Sequence, residues 1–228
     1  MMISNSIKDV FNKINAACKR CGRRADEIKL VAVSKTLPVV QIEEAYKAGL
    51  RVFGESRAQE VRDKTGDLPD DIEWHFIGHL QSNKIKYILP VCRLIHSVDS
   101  MRLAESISGY CVNNGITANI LLEVNSSGES SKYGIEPQAA KDMYLQIQFL
   151  PKINLQGLMT IAPFTDDETE IRESFKKLAE LKSEINSATG RDQNIELSMG
   201  MSRDFEIAIE EGSTIIRVGT SIFGPRRR

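Results

Sequence analysis

The segment LVAVSKTLPVVQIEEAYKAGLRVF, residues 30–53, has the pattern of a strand, a helix and a second strand. LVAV at residues 30–33 is a short apolar run, which is typical of a strand buried on both faces. Pro38 suits the first turn of the helix that follows, and Gly49 suits its end. Residues 51–53 (RVF) then begin a second strand-like run. Such a unit is the building block of parallel α/β folds, in which a helix connects each strand to the next.

The same alternation continues to the end of the chain. Further strand-like runs are IEWHFI (72–77), RLIHS (93–97), NILLEV (119–124), NLQGL (154–158), residues 195–197 and STIIRV (213–218). Helical patterns follow from Ser56, at residues 81–87 and 99–114, from Pro137, after residues 165–168, and at residues 203–209. One more amphipathic helix precedes the first strand, with apolar residues spaced helically from Ile7 to Cys21 and Gly22 at its end.

The number of these units predicts a closed barrel. About eight strand-and-helix units without a long linker indicate an α/β fold, a parallel (β/α)8 TIM-type barrel with an extra N-terminal helix. We expect one domain over residues 1–228. An open doubly wound sheet is the alternative, but the VSKTLP turn after the first strand lacks the glycine fingerprint of a dinucleotide site. TDDE at residues 165–168 fits a capping box, which predicts that Thr165 caps the long helix after it.

Charge and hydropathy exclude several classes of partner. The chain has 30 Lys and Arg residues against 31 Asp and Glu, so no general attraction to nucleic acid or to an anionic membrane surface is expected. No apolar stretch approaches the roughly 18–20 residues of a membrane span, and the first residues lack the pattern of a secretion signal. We therefore expect a cytoplasmic protein that binds neither nucleic acid nor membrane. The arginines at residues 226–228 are interpreted as a solvated tail.

The cysteine pattern predicts neither a metal site nor a disulfide. Cys18 and Cys21 form a CxxC pair, but both lie in the predicted N-terminal helix without a second CxxC or a nearby histidine. We expect these two cysteines, with Cys92 and Cys111, to be reduced thiols.

Two cationic residues are predicted to meet at the carboxyl end of the barrel. Lys35 follows the first strand and has the side-chain parity of Val31 and Val33, so it points into the lumen if the valines do. Arg217 has the parity of Ile215 in the eighth strand, which lies beside the first in a closed barrel. Two neighbouring cations in an apolar lumen are costly, and an anionic ligand would compensate them.

Small residues beside these cations suit the binding of a phosphate. Gly219 and Thr220 follow the eighth strand and offer backbone N–H groups and a hydroxyl. LSMGMS at residues 197–202 supplies a similar turn after the seventh strand. The loops after these two strands are a frequent phosphate site in such barrels.

A lysine in this setting has a specific chemistry. Burial and a neighbouring arginine both favour the neutral amine, which attacks an aldehyde to form a Schiff base. Two phosphorylated ligands meet this requirement, pyridoxal 5'-phosphate (PLP) and a sugar phosphate processed by an aldolase. The pattern also allows simpler interpretations, in which Lys35 points to solvent, Arg217 pairs with Glu123, and the glycine turns are ordinary turns.

Several longer segments carry a resemblance to a known family. They are LVAVSKT, VFGESRAQE, WHFIGHLQSNK, NSSGESSKYGI, GLMTI and LSMGMSRDFEIAIEEGSTIIRVGTSIFG. In this order, and with the helix before the first strand, they resemble the pyridoxal phosphate homeostasis protein family from end to end. The resemblance implies a barrel related to the amino-terminal domain of alanine racemase.

The resemblance also implies a role for individual residues. Lys35 matches the lysine that forms the Schiff base with PLP, and Arg217 matches the group that faces the pyridine nitrogen. Ser202, Gly219 and Thr220 match the phosphate contacts. Ser56 stands where the family has the asparagine of FGEN, so its hydroxyl can still contact the cofactor but reaches less far.

The implied function is binding of PLP rather than catalysis. A guanidinium only donates hydrogen bonds, so it leaves the pyridine nitrogen unprotonated and the ring a weaker electron sink. We expect a protein that stores, buffers or delivers PLP and affects amino-acid and keto-acid balance. PLP-dependent apo-enzymes are the expected recipients, and a monomer is expected, since the chain ends soon after the eighth strand. The alternative is a racemase of low activity that uses Lys35 and a second base such as His75 or His79, whereas His96 is interpreted as a core residue.

Overall fold

Eight parallel strands form a closed barrel in the part of the chain that the computed structural model describes, residues 2–129, 132–189 and 195–225. The strands are β1 (Lys29–Val33), β2 (Val52–Glu55), β3 (Glu73–Phe76), β4 (Cys92–Val98), β5 (Ala118–Glu123), β6 (Ile153–Met159), β7 (Glu196–Met201) and β8 (Ile215–Val218). They follow one another in chain order, and β8 pairs with β1 to close the barrel. The predicted (β/α)8 barrel is confirmed, and the open sheet is excluded. The predicted arginine tail lies outside the described residues.

Helices surround the barrel and connect its strands. They are α1 (Ile3–Cys21), α2 (Val39–Lys47), α3 (Ala58–Thr65), α4 (Ile85–Ile88), α5 (Met101–Asn114), α6 (Pro137–Ile147), α7 (Glu168–Thr189), α8 (Phe205–Glu210) and α9 (Thr220–Phe223). The predicted extra helix is α1, which packs against α8 and α9 and ends at Gly22 with a φ of 70°. Within the described ranges, none of the helices is both long and apolar enough to cross a bilayer.

The start of α7 differs from the predicted capping box. The helix begins at Glu168, and the Oδ1 atom of Asp167 accepts a hydrogen bond from the Thr169 N–H at 2.8 Å. Thr165 instead accepts one from the Asp167 N–H at 3.1 Å, which stabilises the turn before the helix. Aspartate caps a helix at least as well as threonine, so Asp167 can replace Thr165 as the capping residue and α7 starts at Glu168.

The apolar core has an outer layer and a lumenal layer. The outer layer lies between the strands and the helices, and it includes Phe53, Trp74 and Phe175. The lumenal cluster consists of Val31, Leu94, Leu121, Met159 and Ile215. The strand alternation of β1 therefore has the predicted parity, with Val31 on the lumenal side. All four cysteines of the chain are free thiols, as expected.

Candidate cofactor site

A cavity of about 470 Å³ opens at the carboxyl end of the barrel strands. Five of the predicted site residues line it, namely Lys35, Ser202, Arg217, Gly219 and Thr220. Ser56 also follows a strand at this end, but it is not one of the cavity-lining residues. The barrel therefore brings the predicted amine, guanidinium and phosphate contacts to one place.

The turn that carries Lys35 is held in a special conformation. Lys35 is half-buried, and the next residue, Thr36, has a φ of 64°, which is unfavourable for a residue with a Cβ atom. The Thr36 N–H donates to the Oε2 atom of Glu60 at 2.6 Å. The Leu37 N–H donates to the Ser34 carbonyl oxygen at 3.1 Å. These two hydrogen bonds stabilise the strained turn and set the direction in which Lys35 leaves the strand.

A buried ion cluster supports this turn from behind. The Nζ atom of Lys64 donates to Oε1 of Glu55 at 2.9 Å, to Oε2 of Glu60 at 2.8 Å and to the Ser34 carbonyl oxygen at 3.0 Å. The Ser34 hydroxyl also donates to Oε1 of Glu55 at 2.6 Å. Burial raises the pKa of the Glu55 carboxyl, while Ser34 and Lys64 act in the opposite direction. In the sequence, only the i,i+4 spacing of Glu60 and Lys64 points to this cluster.

Arg217 lies inside the barrel, where neutral acceptors hold its guanidinium. Nη1 donates to the Ser198 hydroxyl at 2.6 Å, and Nη2 donates to the Thr160 carbonyl oxygen at 2.8 Å. Burial lowers the pKa of Arg217 to about 10, and Asp204 and Glu123 oppose the shift. The alternative ion pair between Arg217 and Glu123 is not among the ion pairs of the described residues. The guanidinium therefore keeps its charge for a ligand in the cavity.

The loops after β7 and β8 form a receptor for an oxygen atom. The Gly219 and Ser221 N–H groups both donate to the Ser202 hydroxyl oxygen, each at 3.2 Å. A Cβ atom on Gly219 would lie 3.3 Å from the carbonyl oxygen of Val33, so the close approach of β8 to β1 favours glycine here. Two N–H groups that converge on one oxygen, beside the exposed hydroxyl of Thr220, fit a phosphate group.

The turn before Ser202 depends on Gly200. Its φ is 94°, and a Cβ atom there would lie 2.5 Å from the Cβ atom of Ala208 and 2.9 Å from the Cα atom of Phe205. The Met201 N–H donates to Oδ1 of Asp204 at 2.5 Å, which fixes the same turn. The glycine in LSMGMS thus allows the backbone to present Ser202 to the cavity.

A second lysine lines the cavity, and it was not predicted from the sequence. Lys132 donates to the Ala162 carbonyl oxygen at 2.8 Å and to Oε1 of Glu129 at 2.7 Å. It lies in the loop between β5 and α6, within the SSKYGI motif. Since a loop has no regular period, its path over the barrel could not be derived from the sequence. The SSKYGI motif was the one feature of the sequence that pointed to Lys132.

The two histidines that were candidates for a second base, His75 and His79, lie in different surroundings. His75 is fully buried and bonded to two side chains inside the barrel, and so is His96, as expected for a core residue. His79 lies at the rim, where its ring stacks on Tyr133 with centroids 4.0 Å apart. Its Nδ1 atom lies 3.3 Å from Oδ2 of Asp99.

Glu123 is a buried carboxyl at the mouth of the barrel. It is the last residue of β5 and is 6% exposed. Burial raises its pKa to about 7, Asp99 adds to the shift, and Arg217 opposes it. The pKa of a glutamate in the unfolded chain is about 4.3. Between about pH 4.3 and about pH 7, Glu123 is therefore protonated in the folded protein and ionised in the unfolded chain. Glu123 therefore stabilises the fold below about pH 4.3, and this contribution is lost as the pH rises through about 7.

We expect the substitution Glu123→Gln to remove this pH dependence. At about pH 8 the variant should be more stable than the wild type by about 3 kcal/mol, and near pH 4 the two should be equal. Urea unfolding of both cofactor-free proteins across this range measures the difference. A difference that stays constant with pH would contradict the assignment.

Comparisons with known proteins agree with this geometry. The alanine racemase N-terminal domain family matches residues 11–227 of the chain. The pyridoxal phosphate homeostasis protein of Aquifex aeolicus is 45% identical over 222 residues, which cover 96% of each chain. The structure of PipY from Synechococcus elongatus with PLP bound is 34% identical, with a TM-score of 0.83 over 97% of this chain and 100% of PipY. An alanine racemase of Clostridium difficile shares the fold alone, at 14% identity and a TM-score of 0.77 over 98% of this chain and 58% of the racemase.

Proposed function

Because the chain belongs to the pyridoxal phosphate homeostasis protein family, we propose that it binds PLP and takes part in the homeostasis of this cofactor. The relative from Aquifex aeolicus carries that name, and the related PipY structure contains PLP. The proposal covers residues 1–228 as a single cofactor-binding domain that acts in the cytoplasm. Family membership also favours PLP over the sugar phosphate that the chemistry of Lys35 alone would allow.

One structural observation carries the proposal. An amine (Lys35), a buried guanidinium (Arg217) and the group of Ser202, Gly219 and Thr220 line one cavity of about 470 Å³, and the Gly219 and Ser221 N–H groups converge on the Ser202 hydroxyl. PLP needs an amine for its aldehyde, a polar partner for its ring nitrogen and donors for its phosphate. The wall also carries Lys132, Arg203 and Asp204, but most of its other side chains are apolar, Val33 and Ile77 among them, which suits an aromatic ring.

Each predicted residue has a proposed role toward the cofactor. When bound, PLP supplies an aldehyde that joins an amine as a Schiff base, and an electron-poor ring. Lys35 provides the amine, and Ser202, Gly219 and Thr220 hold the phosphate. Ser56 follows β2 and does not line the cavity as the structure stands, so its proposed contact with the ring through the hydroxyl needs a rotation of this side chain toward the cofactor.

The environment of Arg217 supports storage rather than catalysis. A guanidinium has five N–H donors and no acceptor, and Ser198 and Thr160 account for two of those donors. Opposite the pyridine nitrogen it can donate but cannot take a proton, so the ring stays a weak electron sink. His75, a candidate second base of a racemase, is occupied by His96 and Glu73 inside the barrel.

We propose that the bound cofactor is stored, buffered and delivered to PLP-dependent apo-enzymes, with effects on amino-acid and keto-acid balance. The cavity opens to solvent beside Phe164, which is 87% exposed, so a bound molecule could leave without unfolding of the barrel. The protein acts as a monomer in this proposal.

Delivery can be tested with a purified apo-enzyme that needs PLP. The homeostasis protein is loaded with PLP, freed of unbound cofactor and mixed with the apo-enzyme at equal concentration. We expect the activity of the apo-enzyme to return. If no activity returns although free PLP restores it, the protein does not deliver its cofactor under these conditions, and the delivery role is wrong.

The racemase alternative gives a different result with amino acids in deuterated water. We expect the loaded protein to leave alanine and other amino acids without deuterium at the α-carbon, because His75 is buried in hydrogen bonds to His96 and Glu73 and a guanidinium at the pyridine nitrogen keeps the ring a weak electron sink. Proton NMR of the amino acid measures the exchange, and an alanine racemase serves as the positive control. Steady exchange that depends on Lys35 would establish the enzyme instead.

A further inference from the structure

A chain of hydrogen bonds crosses the lumen of the barrel from Arg217 to Glu73. Nη1 of Arg217 lies 2.6 Å from the Ser198 hydroxyl, which lies 2.8 Å from Nδ1 of His96. Nε2 of His96 lies 2.8 Å from Nδ1 of His75, and Nε2 of His75 lies 2.9 Å from Oε1 of Glu73. Four hydrogen bonds thus connect a residue of the cofactor cavity to a residue at the first position of β3.

The middle of this hydrogen-bond chain is buried, whereas its end at Glu73 is partly exposed to solvent. Ser198, His75 and His96 are fully buried. The Glu73 side chain is 34% exposed and pairs with Lys29 at 3.2 Å. Both residues begin strands, so they lie at the amino end of the barrel, opposite the cavity. The buried histidines therefore link the two ends of the barrel through its interior.

The chemistry of the two ends fixes the direction of every hydrogen bond. The pKa of Glu73 is lowered to about 2, chiefly by His75 and with help from Lys29, so Glu73 is a carboxylate that only accepts. Arg217, at the other end, only donates. Burial lowers the pKa of both histidines, so each ring is neutral with one N–H.

These conditions allow one arrangement of protons. His75 donates from Nε2 to Glu73, which leaves its Nδ1 as an acceptor. His96 must then donate from Nε2 to His75, so its own Nδ1 accepts from the Ser198 hydroxyl. The Ser198 oxygen is left to accept from Arg217. All donors point from Arg217 toward Glu73, and reversal at any position would place two acceptors or two donors face to face.

We propose that His96, His75 and Glu73 are positioning residues that fix the guanidinium of Arg217 toward the bound cofactor. The hydrogen-bond chain keeps the Ser198 oxygen turned to Arg217 as a neutral acceptor, and no carboxylate of the described residues forms an ion pair with the guanidinium. Arg217 is thereby anchored against rotation but keeps its positive charge for the ligand. The last step of this inference rests on the proposed function, whereas the order of the protons is a property of the protein alone.

The order of the protons is tested on the cofactor-free wild-type protein. Nitrogen-15 NMR of labelled histidine distinguishes protonated from bare ring nitrogens. We expect His75 and His96 both to be neutral and to carry the proton on Nε2. A proton on Nδ1 of either ring, or a charged ring at neutral pH, overturns the inference, whether or not the protein binds PLP.

The effect on the cofactor is tested with two substitutions at His96. His96→Leu removes the acceptor for Ser198, and we expect about a tenfold weaker affinity for PLP and a shifted absorption spectrum of the bound cofactor. His96→Asn offers an amide oxygen in place of Nδ1, so the wild-type spectrum should return in large part.

The order of the two variants separates positioning from packing. Leucine suits an apolar lumen better than asparagine, so a role in packing alone predicts the milder effect for His96→Leu. That order, or an unchanged spectrum in both variants, would overturn the positioning role. If the wild type itself takes up no PLP, the proposed function fails, and the NMR result still decides the order of the protons.

Discussion

Lys35→Ala is expected to abolish the visible absorbance of the PLP-loaded protein and to leave the fold intact. The visible band comes from the Schiff base, and the substitution removes the amine that forms it. Lys35 follows β1 in a turn whose backbone is held by Glu60 and Lys64, and those two contacts remain in the variant. PLP should still enter the cavity through its phosphate contacts, but borohydride should no longer attach it to the protein. Absorbance spectra before and after reduction measure the effect.

Lys132→Ala is the matched control for this substitution. Lys132 lines the same cavity, but its Nζ atom already donates to Ala162 and Glu129. We expect the control variant to keep the visible band. A band that survives in Lys35→Ala and disappears in Lys132→Ala would exchange the roles of the two lysines.

The double substitution Ser202→Ala, Thr220→Val is expected to weaken the affinity for PLP strongly. A hydrogen bond to a charged group contributes about 1.5–3 kcal/mol, so each lost hydroxyl should weaken PLP binding by about tenfold or more. Ser202 now accepts from the Gly219 and Ser221 N–H groups, and those donors remain in the variant. The affinity should therefore fall strongly without being lost. Titration followed by absorbance measures the dissociation constant.

Pyridoxal without its phosphate provides the control ligand. It has the same ring and aldehyde, so its affinity should be equal in the wild type and in the double variant. If PLP binds both proteins equally, the phosphate is held by other groups, and the assignment of Ser202 and Thr220 is wrong.

The barrel and the cationic pair were predictable because both depend on periodic patterns. Alternation along β1 placed Lys35 on the side of Val31, and closure of the barrel brought β8 against β1, where Val31 and Arg217 are in register. Pattern and topology therefore located these residues without any knowledge of distances. The sequence did not reveal that Asp167 rather than Thr165 caps α7, because several residues of that turn are good caps.

The hydrogen-bond chain from Arg217 to Glu73 could not be predicted from the sequence for a different reason. His75, His96 and Ser198 come from β3, β4 and β7, and their contacts cross the lumen. Such contacts depend on the stagger of the strands, which is a property of the closed barrel and not of any one segment. The sequence indicated only that two histidines lie in strands. The position of Lys132 was not predicted, because it lies in a loop and a loop has no regular period.

Borohydride reduction of the PLP-loaded wild-type protein, followed by proteolysis and mass spectrometry, identifies the lysine that forms the Schiff base. We expect one reduced pyridoxyl group, on the peptide that contains Lys35. A group found on another lysine, or no group on any peptide, would contradict it.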